Sequence, residues 1–175
     1  MSVDWNRRPQ LCFVTGAPGA GKSAIVSTLL ETSDDVLCFD ADWLLEPVSA
    51  LVNKSVWEAS ETWPAYRALW LRIAQMLVRN GRRVAFFGPT HPDDLIGLLP
   101  IPGLDRLAWL LLDCDDGTRV ARLQARGWDS KQVEEVLADA QALRGRMPVV
   151  DTGRTTPHEA AALVRAWLQK EQRDE

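Results

Sequence analysis

Residues 16–23 read Gly16-Ala17-Pro18-Gly19-Ala20-Gly21-Lys22-Ser23, the G-x-x-x-x-G-K-[ST] pattern of a phosphate-binding loop. Each residue type has a physical task. The glycines let the main chain curl until successive N–H groups face phosphate oxygens. A helix opening near Lys22 adds the positive end of its dipole. Lys22 has the reach to meet β- and γ-phosphates, and the Ser23 hydroxyl suits a Mg²⁺ ligand. The flanks agree: a β-type run (Leu11, Cys12, Phe13, Val14) precedes the loop, and a helical pattern (Ala24, Ile25, Leu29, Leu30) follows it. Gly16 through Ala24 are therefore expected to hold a nucleoside triphosphate.

A second group with chemical potential is Asp40 and Asp42, directly after Val36–Phe39. Alternation in an extended segment would aim both carboxylates to one side, at the sheet edge that carries the loop. Phosphoryl transfer to a hydroxyl needs an anionic anchor for hydrated Mg²⁺ and a carboxylate that orients the acceptor and takes its proton. Asp40 suits the first role and Asp42 the second, or the reverse. The plainer alternative is a pair of turn or N-cap aspartates leading into a helix at Trp43. The third apolar run ends Phe86-Phe87-Gly88-Pro89-Thr90-His91, without the terminal aspartate by which motor-type ATPases hold Mg²⁺. The fourth ends in Asp113, then Asp115 and Asp116, which are placed to cap the next helix.

Arginines supply the third group. Arg119, Arg122 and Arg126 are spaced three and four apart and share one predicted helix face. They are able to clamp phosphate oxygens, offset transition-state charge or stack on adenine, or else form a solvated surface. Arg144 and Arg146 are weaker candidates for the same cluster. Arg154 lies in the loop Asp151-Thr152-Gly153-Arg154. Arg67 and Arg72 occur among Trp43, Trp57, Trp63, Tyr66 and Trp70, a mixture that suits a flat or cyclic acceptor. The same tryptophan spacing also suits a plain hydrophobic helix face. His91 and His158 are given no catalytic role.

The elements that must position these residues follow from periodicity. Five apolar runs predict strands at Leu11–Thr15, Val36–Phe39, Val84–Phe87, Ala108–Leu112 and Pro148–Val150. Helical patterns separate them. The clearest is Trp63–Asn80, with Leu69, Trp70, Ile73, Met76 and Leu77 as its stripe and Gly81 to end it. The last helix opens with the capping box Thr156-Pro157-His158-Glu159 and turns Ala160, Leu163, Val164, Trp167 and Leu168 inward. Strands alternating with helices predict a parallel three-layer α/β sheet in one domain. Residues 43–80 form a helical excursion suited to an acceptor site. Residues 117–146 suit a lid, with Gly127-Trp128-Asp129 as its flexible point.

Composition bounds the rest. The chain has 175 residues, 46% of them hydrophobic, and a net charge of −4, which argues against broad nucleic-acid binding. The three cysteines, Cys12, Cys38 and Cys114, read as small buried hydrophobes and suggest a reducing, cytoplasmic home. No apolar run approaches the roughly 20 residues of a membrane span. A monomer or homodimer acting on a small molecule is expected.

The loop followed by Phe39-Asp40-Ala41-Asp42 resembles the small P-loop kinases of the nucleotide/nucleoside-kinase-like group. Gluconate, shikimate and adenylylsulfate kinases and chloramphenicol phosphotransferase are similar in this respect. The resemblance implies a sheet of order 2-3-1-4-5, ATP with Mg²⁺, and transfer of the γ-phosphoryl group to a small-molecule hydroxyl. It implies that Asp42 meets the acceptor, with Gly88 beneath it. It also implies that Arg122 packs on the base, that Arg126 reaches the phosphates, and that the loop bearing Arg154 borders the adenine. The chain departs from the resemblance at acceptor recognition, where the 43–75 segment carries no recognisable acceptor signature. Two other classes compete. A polynucleotide-end kinase would need a basic channel, and a non-catalytic nucleotide-binding module would need Lys22 but not Asp42. A GTPase is disfavoured because no Asn-Lys-x-Asp signature follows; Asn53-Lys54-Ser55-Val56 has the wrong last residue.

Overall fold

The structure is a computed structural model that describes residues 11–31, 36–98, 100 and 107–170. Five parallel strands form one sheet: β1 (Leu11–Thr15), β2 (Val36–Asp40), β3 (Arg83–Gly88), β4 (Leu107–Asp113) and β5 (Val149–Asp151). Their order is β2-β3-β1-β4-β5, as the resemblance implies. Among the described residues six α-helices accompany them: α1 (Lys22–Leu30), α2 (Leu45–Val52), α3 (Trp63–Arg79), α4 (Asp116–Gln124), α5 (Ser130–Leu143) and α6 (Pro157–Lys170). Among the described residues, no helix is long and apolar enough to cross a membrane.

The continuous apolar strands are explained by burial on both faces. Cys12 and Val14 of β1 join Ala85, Phe87, Leu110 and Leu112 under α1 and α6. The alternate residues Leu11 and Phe13 join Val84 and Phe86 under α3. A smaller third cluster packs Ala17 of the loop against Leu123, Val133, Val136 and Ala140, so α4 and α5 rest on the phosphate loop itself. The three cysteines are free thiols, with Cys12 and Cys114 buried.

Two helix faces differ from the expected stripes. On α3 the buried residues are Tyr66, Trp70, Leu71, Ala74, Gln75 and Val78, while Met76 is 57% exposed and Leu69 also faces out. The aromatic residues set this rotation. Trp70 meets the Phe86 ring at 4.7 Å, and the Tyr66 hydroxyl donates to the Ala41 carbonyl. On α6, Ala160, Ala161, Val164 and Leu168 face inward and Leu163 is exposed. The capping box at Thr156 and Glu159 forms as predicted. Strand ends also shift: β2 extends to Asp40, β4 to Asp113, and β5 starts at Val149.

The loop is fastened from behind. Arg119 is fully buried and donates to the carbonyls of Ala17 (3.3 Å) and Pro18 (2.7 Å). Its other arm pairs with Asp113. Arg122 donates to Gly19 O at 3.0 Å, and the Thr152 hydroxyl to Ala20 O at 2.9 Å. Asp113 is the shared acid of this bracket, held also by Arg144 at 2.7 Å. Breaking a buried ion pair by removing one partner costs about 3–5 kcal/mol. Arg119→Leu should therefore lower the unfolding free energy in urea by about that amount. Arg126→Leu, which touches none of these carbonyls, should change it by less than about 0.5 kcal/mol.

Candidate active site

All parallel strands point their C-terminal ends to one rim, where the phosphate loop, Asp40, Gly88, Asp113 and Thr152 gather. At the start of α1, Gly21 adopts the left-handed conformation (φ 84°) that turns the loop into the helix. No side chain caps that helix start and its first turn holds no acid, so its leading N–H groups are left for an anion. This fits a bound phosphate chain. The Lys22 ammonium donates to Gly16 O and, at 3.3 Å, to Ala17 O. Burial pushes its pKa down to about 8, against the raising pull of Asp42 and Asp40.

Asp40 and Asp42 do not lie side by side as strand alternation would have them. Asp40 is the last residue of β2, 4% exposed, and its Oδ1 accepts the N–H of Asp42 at 3.0 Å. The chain leaves the strand there for a 3₁₀ turn, Ala41–Leu44, so the period of two ends at Asp40. Asp40 is thus an N-cap, while Asp42 faces the cleft with Lys22 and Ser23. Withdrawal from water, and then the charge of Asp40, raise the Asp42 pKa against the opposing effect of Lys22. The turn is fixed from two further sides. Tyr66 holds the Ala41 carbonyl, and Gly88 lies so close that a Cβ there would sit 2.7 Å from the Ala41 Cβ.

Three clefts join along the rim. The first, about 250 Å³, is bounded by Ala24, Ile25, Arg122, Arg126, Thr155 and Pro157, on the side expected for a base. The second, about 160 Å³, lies over Lys22, Ser23 and Asp42, with Trp57, Arg126 and Trp128 around it. The third, about 320 Å³, is bounded by Trp57, Trp63, Arg67, Trp128, Glu135 and Asp139. Arg126 belongs to the first and second, and Trp57 and Trp128 to the second and third. Gly16, Ala17, Pro18, Gly19 and Ala20 supply the loop beneath.

Several arginines sit elsewhere than predicted. Arg119 and Arg122 do not form one phosphate-facing row with Arg126. Both donate to loop carbonyls, although Arg122 still borders the first cleft. Arg126 lies beyond the end of α4, where its N–H donates to the Leu123 carbonyl at 2.9 Å, while its guanidinium makes no hydrogen bond or ion pair among the described residues. Arg144 is taken by Asp113 and Asp116, and Arg146 by Asp93, so neither reaches the loop mouth. Arg154 is not among the residues bounding the first cleft; its side chain is 89% exposed and sits 3.5 Å from Asp151. Arg67 borders the third cleft, paired with Asp94 at 2.9 Å and stacked over Trp63 at 5.7 Å. Arg72 bonds Gln75 instead, and Trp43 packs against Phe39 outside the three clefts.

Asp115 caps α4 through the Thr118 N–H, as expected, and Asp113 pairs with Arg119 and Arg144. Among the described residues no group of three or more His, Cys, Asp or Glu could hold a metal unaided. The Ser23 hydroxyl together with a carboxylate offers hard oxygen donors of the kind that suit Mg²⁺. The predicted hinge at 127–129 is a defined turn: Gly127 is left-handed, and Asp129 with Gln132 forms a capping box for α5. Trp128 lines two clefts, a role that its sequence position did not reveal. Thr152 was also missed, because a lone threonine in an αβ loop carries no signal.

No protein-family model matches the sequence, and no curated protein matches it. Solved structures do. A sugar kinase from Janibacter is 17% identical, with a TM-score of 0.62 over 91% of this chain and 94% of the other. The tunicamycin resistance protein of Deinococcus radiodurans is 18% identical, with a TM-score of 0.63 over 93% and 96%. Shikimate kinase from Aquifex aeolicus is 14% identical, with a TM-score of 0.58 over 94% and 99%. The chain therefore has the fold of the P-loop small-molecule kinases, along nearly its whole length and theirs.

Proposed function

We propose that the protein is an ATP-dependent small-molecule kinase that moves the γ-phosphoryl group of Mg-ATP to a hydroxyl. The observation that carries this reading is the meeting of Lys22, Ser23, Asp42 and Arg126 in one cleft, between a groove beside Ile25 and Pro157 and another walled by tryptophans. The acceptor oxygen forms a bond to the γ-phosphorus while the bond from that phosphorus to the β–γ bridging oxygen breaks, releasing ADP. The hydroxyl proton passes to Asp42, whose raised pKa makes it a better base than an ordinary carboxylate. Bound Mg²⁺ would offset charge on the phosphate oxygens. Ser23 and Asp40 are the residues to hold it, and Asp40 also fixes the Asp42 main chain. Lys22 and Arg126 add positive charge along the transferred group.

The other two readings are less well supported. A polynucleotide-end kinase calls for a basic path to the site, whereas the outer groove carries Glu135 and Asp139. A purely regulatory nucleotide binder gives no reason for an aspartate held from three sides beside the phosphate loop.

Asp42→Asn should leave ATP affinity near wild type and lower phosphoryl transfer at least ~10²-fold, the scale of a lost general base. Acceptor-dependent ADP release measures the rate; transfer at the parental rate would overturn the assignment. Tyr66→Phe removes the hydroxyl that holds the Ala41 carbonyl. It should lower kcat by roughly tenfold through misplacement of Asp42, with little change in the Kd for ATP. Lys22 governs the alkaline limb. Its charged form is lost in the free protein as pH rises through about 8, so ATP binding should weaken above that pH by up to about tenfold per unit. Titration of ATP affinity across pH 7–10 tests this, and Lys22→Arg, which keeps its charge, should flatten the limb (about this range).

A further inference from the structure

The outer cleft has a charge character that selects among acceptors, an inference that rests on the kinase reading above. Its only cation among the bounding residues is Arg67, and that charge is already matched by Asp94 at 2.9 Å. The guanidinium also lies over one face of Trp63, so it is committed twice. Opposite stand Glu135 and Asp139, one turn apart on α5 and therefore on one face. Neither carboxylate makes a hydrogen bond or ion pair among the described residues. Once the Arg67–Asp94 pair is balanced, the cleft carries two uncompensated negative charges, whereas Asp42, where the cleft joins the phosphate loop, lies beside Lys22.

Its walls are Trp57, Trp63 and Trp128, and the Trp57 and Trp63 rings meet edge to face at 5.9 Å. Indole faces attract cations as well as the C–H faces of a sugar-like ring. A carboxylated or phosphorylated acceptor would meet repulsion from Glu135 and Asp139 and find no free arginine to bind. A neutral acceptor that covered those two exposed carboxylates would strip their water without replacing it.

We propose that the phosphoryl acceptor is a hydroxylated compound bearing an ammonium group, with its ring against the tryptophans and its ammonium on Glu135 and Asp139. Its hydroxyl then points to Asp42 and the γ-phosphate. The balance is that of any alcohol kinase: an O–P bond forms, the bridging P–O bond breaks, and the hydroxyl proton leaves through Asp42. The ammonium remains unreacted.

The test is a matched panel of amino sugars and aminocyclitols, their N-acetyl derivatives, and sugar acids, each with Mg-ADP present. Binding is followed by tryptophan fluorescence and by calorimetry, and turnover by ADP release with Mg-ATP. At least one free amine should bind ~10-fold or more tightly than its N-acetyl form, the scale of one lost charge-assisted contact. The double variant Glu135→Gln, Asp139→Asn should erase that preference, with ATP affinity measured alongside as the folding control. Equal binding of amine and N-acetyl forms, preference for sugar acids, binding by no member of the panel, or a preference that survives in the double variant would each overturn the proposal. Phosphorylation of neutral sugars or sugar acids alone would overturn it too, while the kinase reading stood. Amine-selective binding without acceptor-dependent ADP release would leave the ligand class standing and overturn the kinase reading.

Discussion

The site depends on how the carbonyl oxygens of the phosphate loop are satisfied. Gly16 and Ala17 accept from Lys22, Ala17 and Pro18 from Arg119, Gly19 from Arg122, and Ala20 from Thr152. Every loop carbonyl from 16 to 20 therefore has a donor. A curl that sends its C=O groups toward the protein turns N–H groups to the other side, which is the condition for an anion cradle. Apart from Lys22, the donors come from α4 and from the loop after β5, a hundred or more residues distant along the chain. The loop motif can form only when the whole sheet edge has assembled.

This arrangement conflicts with stability at the residues that perform chemistry. Burial holds the Lys22 pKa at about 8 in the fold, against 10.5 for a lysine in water. Between those values the unfolded chain binds the proton more tightly, so the lysine's contribution to stability rises with pH across that window and is unfavourable below it. Asp42, with its pKa raised, likewise favours its neutral form in the fold, so its ionisation at neutral pH also opposes folding. The opposing contribution comes from the twice-covered strands and the ring contacts that run from Trp63 through Tyr66, Trp70 and Phe86 to Phe13. That aromatic series also fixes the wall of the outer cleft, so one set of contacts offsets the strain of the charges and shapes the acceptor side.

Much of this was legible because it depends on local sequence. The glycine-lysine-serine loop, the acid pair after β2, the strand order and the capping box at Thr156 rest on short-range patterns or on a resemblance carried by them. What the pattern could not assign was which of several similar residues did which task. Arg119, Arg122 and Arg126 have helical spacing, yet Arg119 is buried against Asp113 and Arg126 stands past the helix end. The distinction depends on where Asp113 and the loop carbonyls lie, which is tertiary information. Asp40 and Asp42 were separable only once β2 was seen to end at Asp40, because the period of two holds only within a strand. The α3 stripe was misread for a related reason: its orientation is set by Tyr66 reaching Ala41, not by average hydrophobicity.

The rim has a polarity that bears on how two substrates of opposite charge could share one groove. Lys22 and Arg126 make the inner part positive, and Glu135 and Asp139 make the outer part negative. Asp42 stands between, close enough to Lys22 for each to shift the other's pKa. A triphosphate binding first would neutralise the cations and leave the carboxylates dominant, so an ammonium-bearing acceptor would meet a more attractive groove after the nucleotide than before it. Linkage requires the reverse effect to be equal: an acceptor of that charge would tighten the triphosphate by the same factor. The order and coupling of binding would then follow from the placement of charges along the rim, without any movement of α4 or α5.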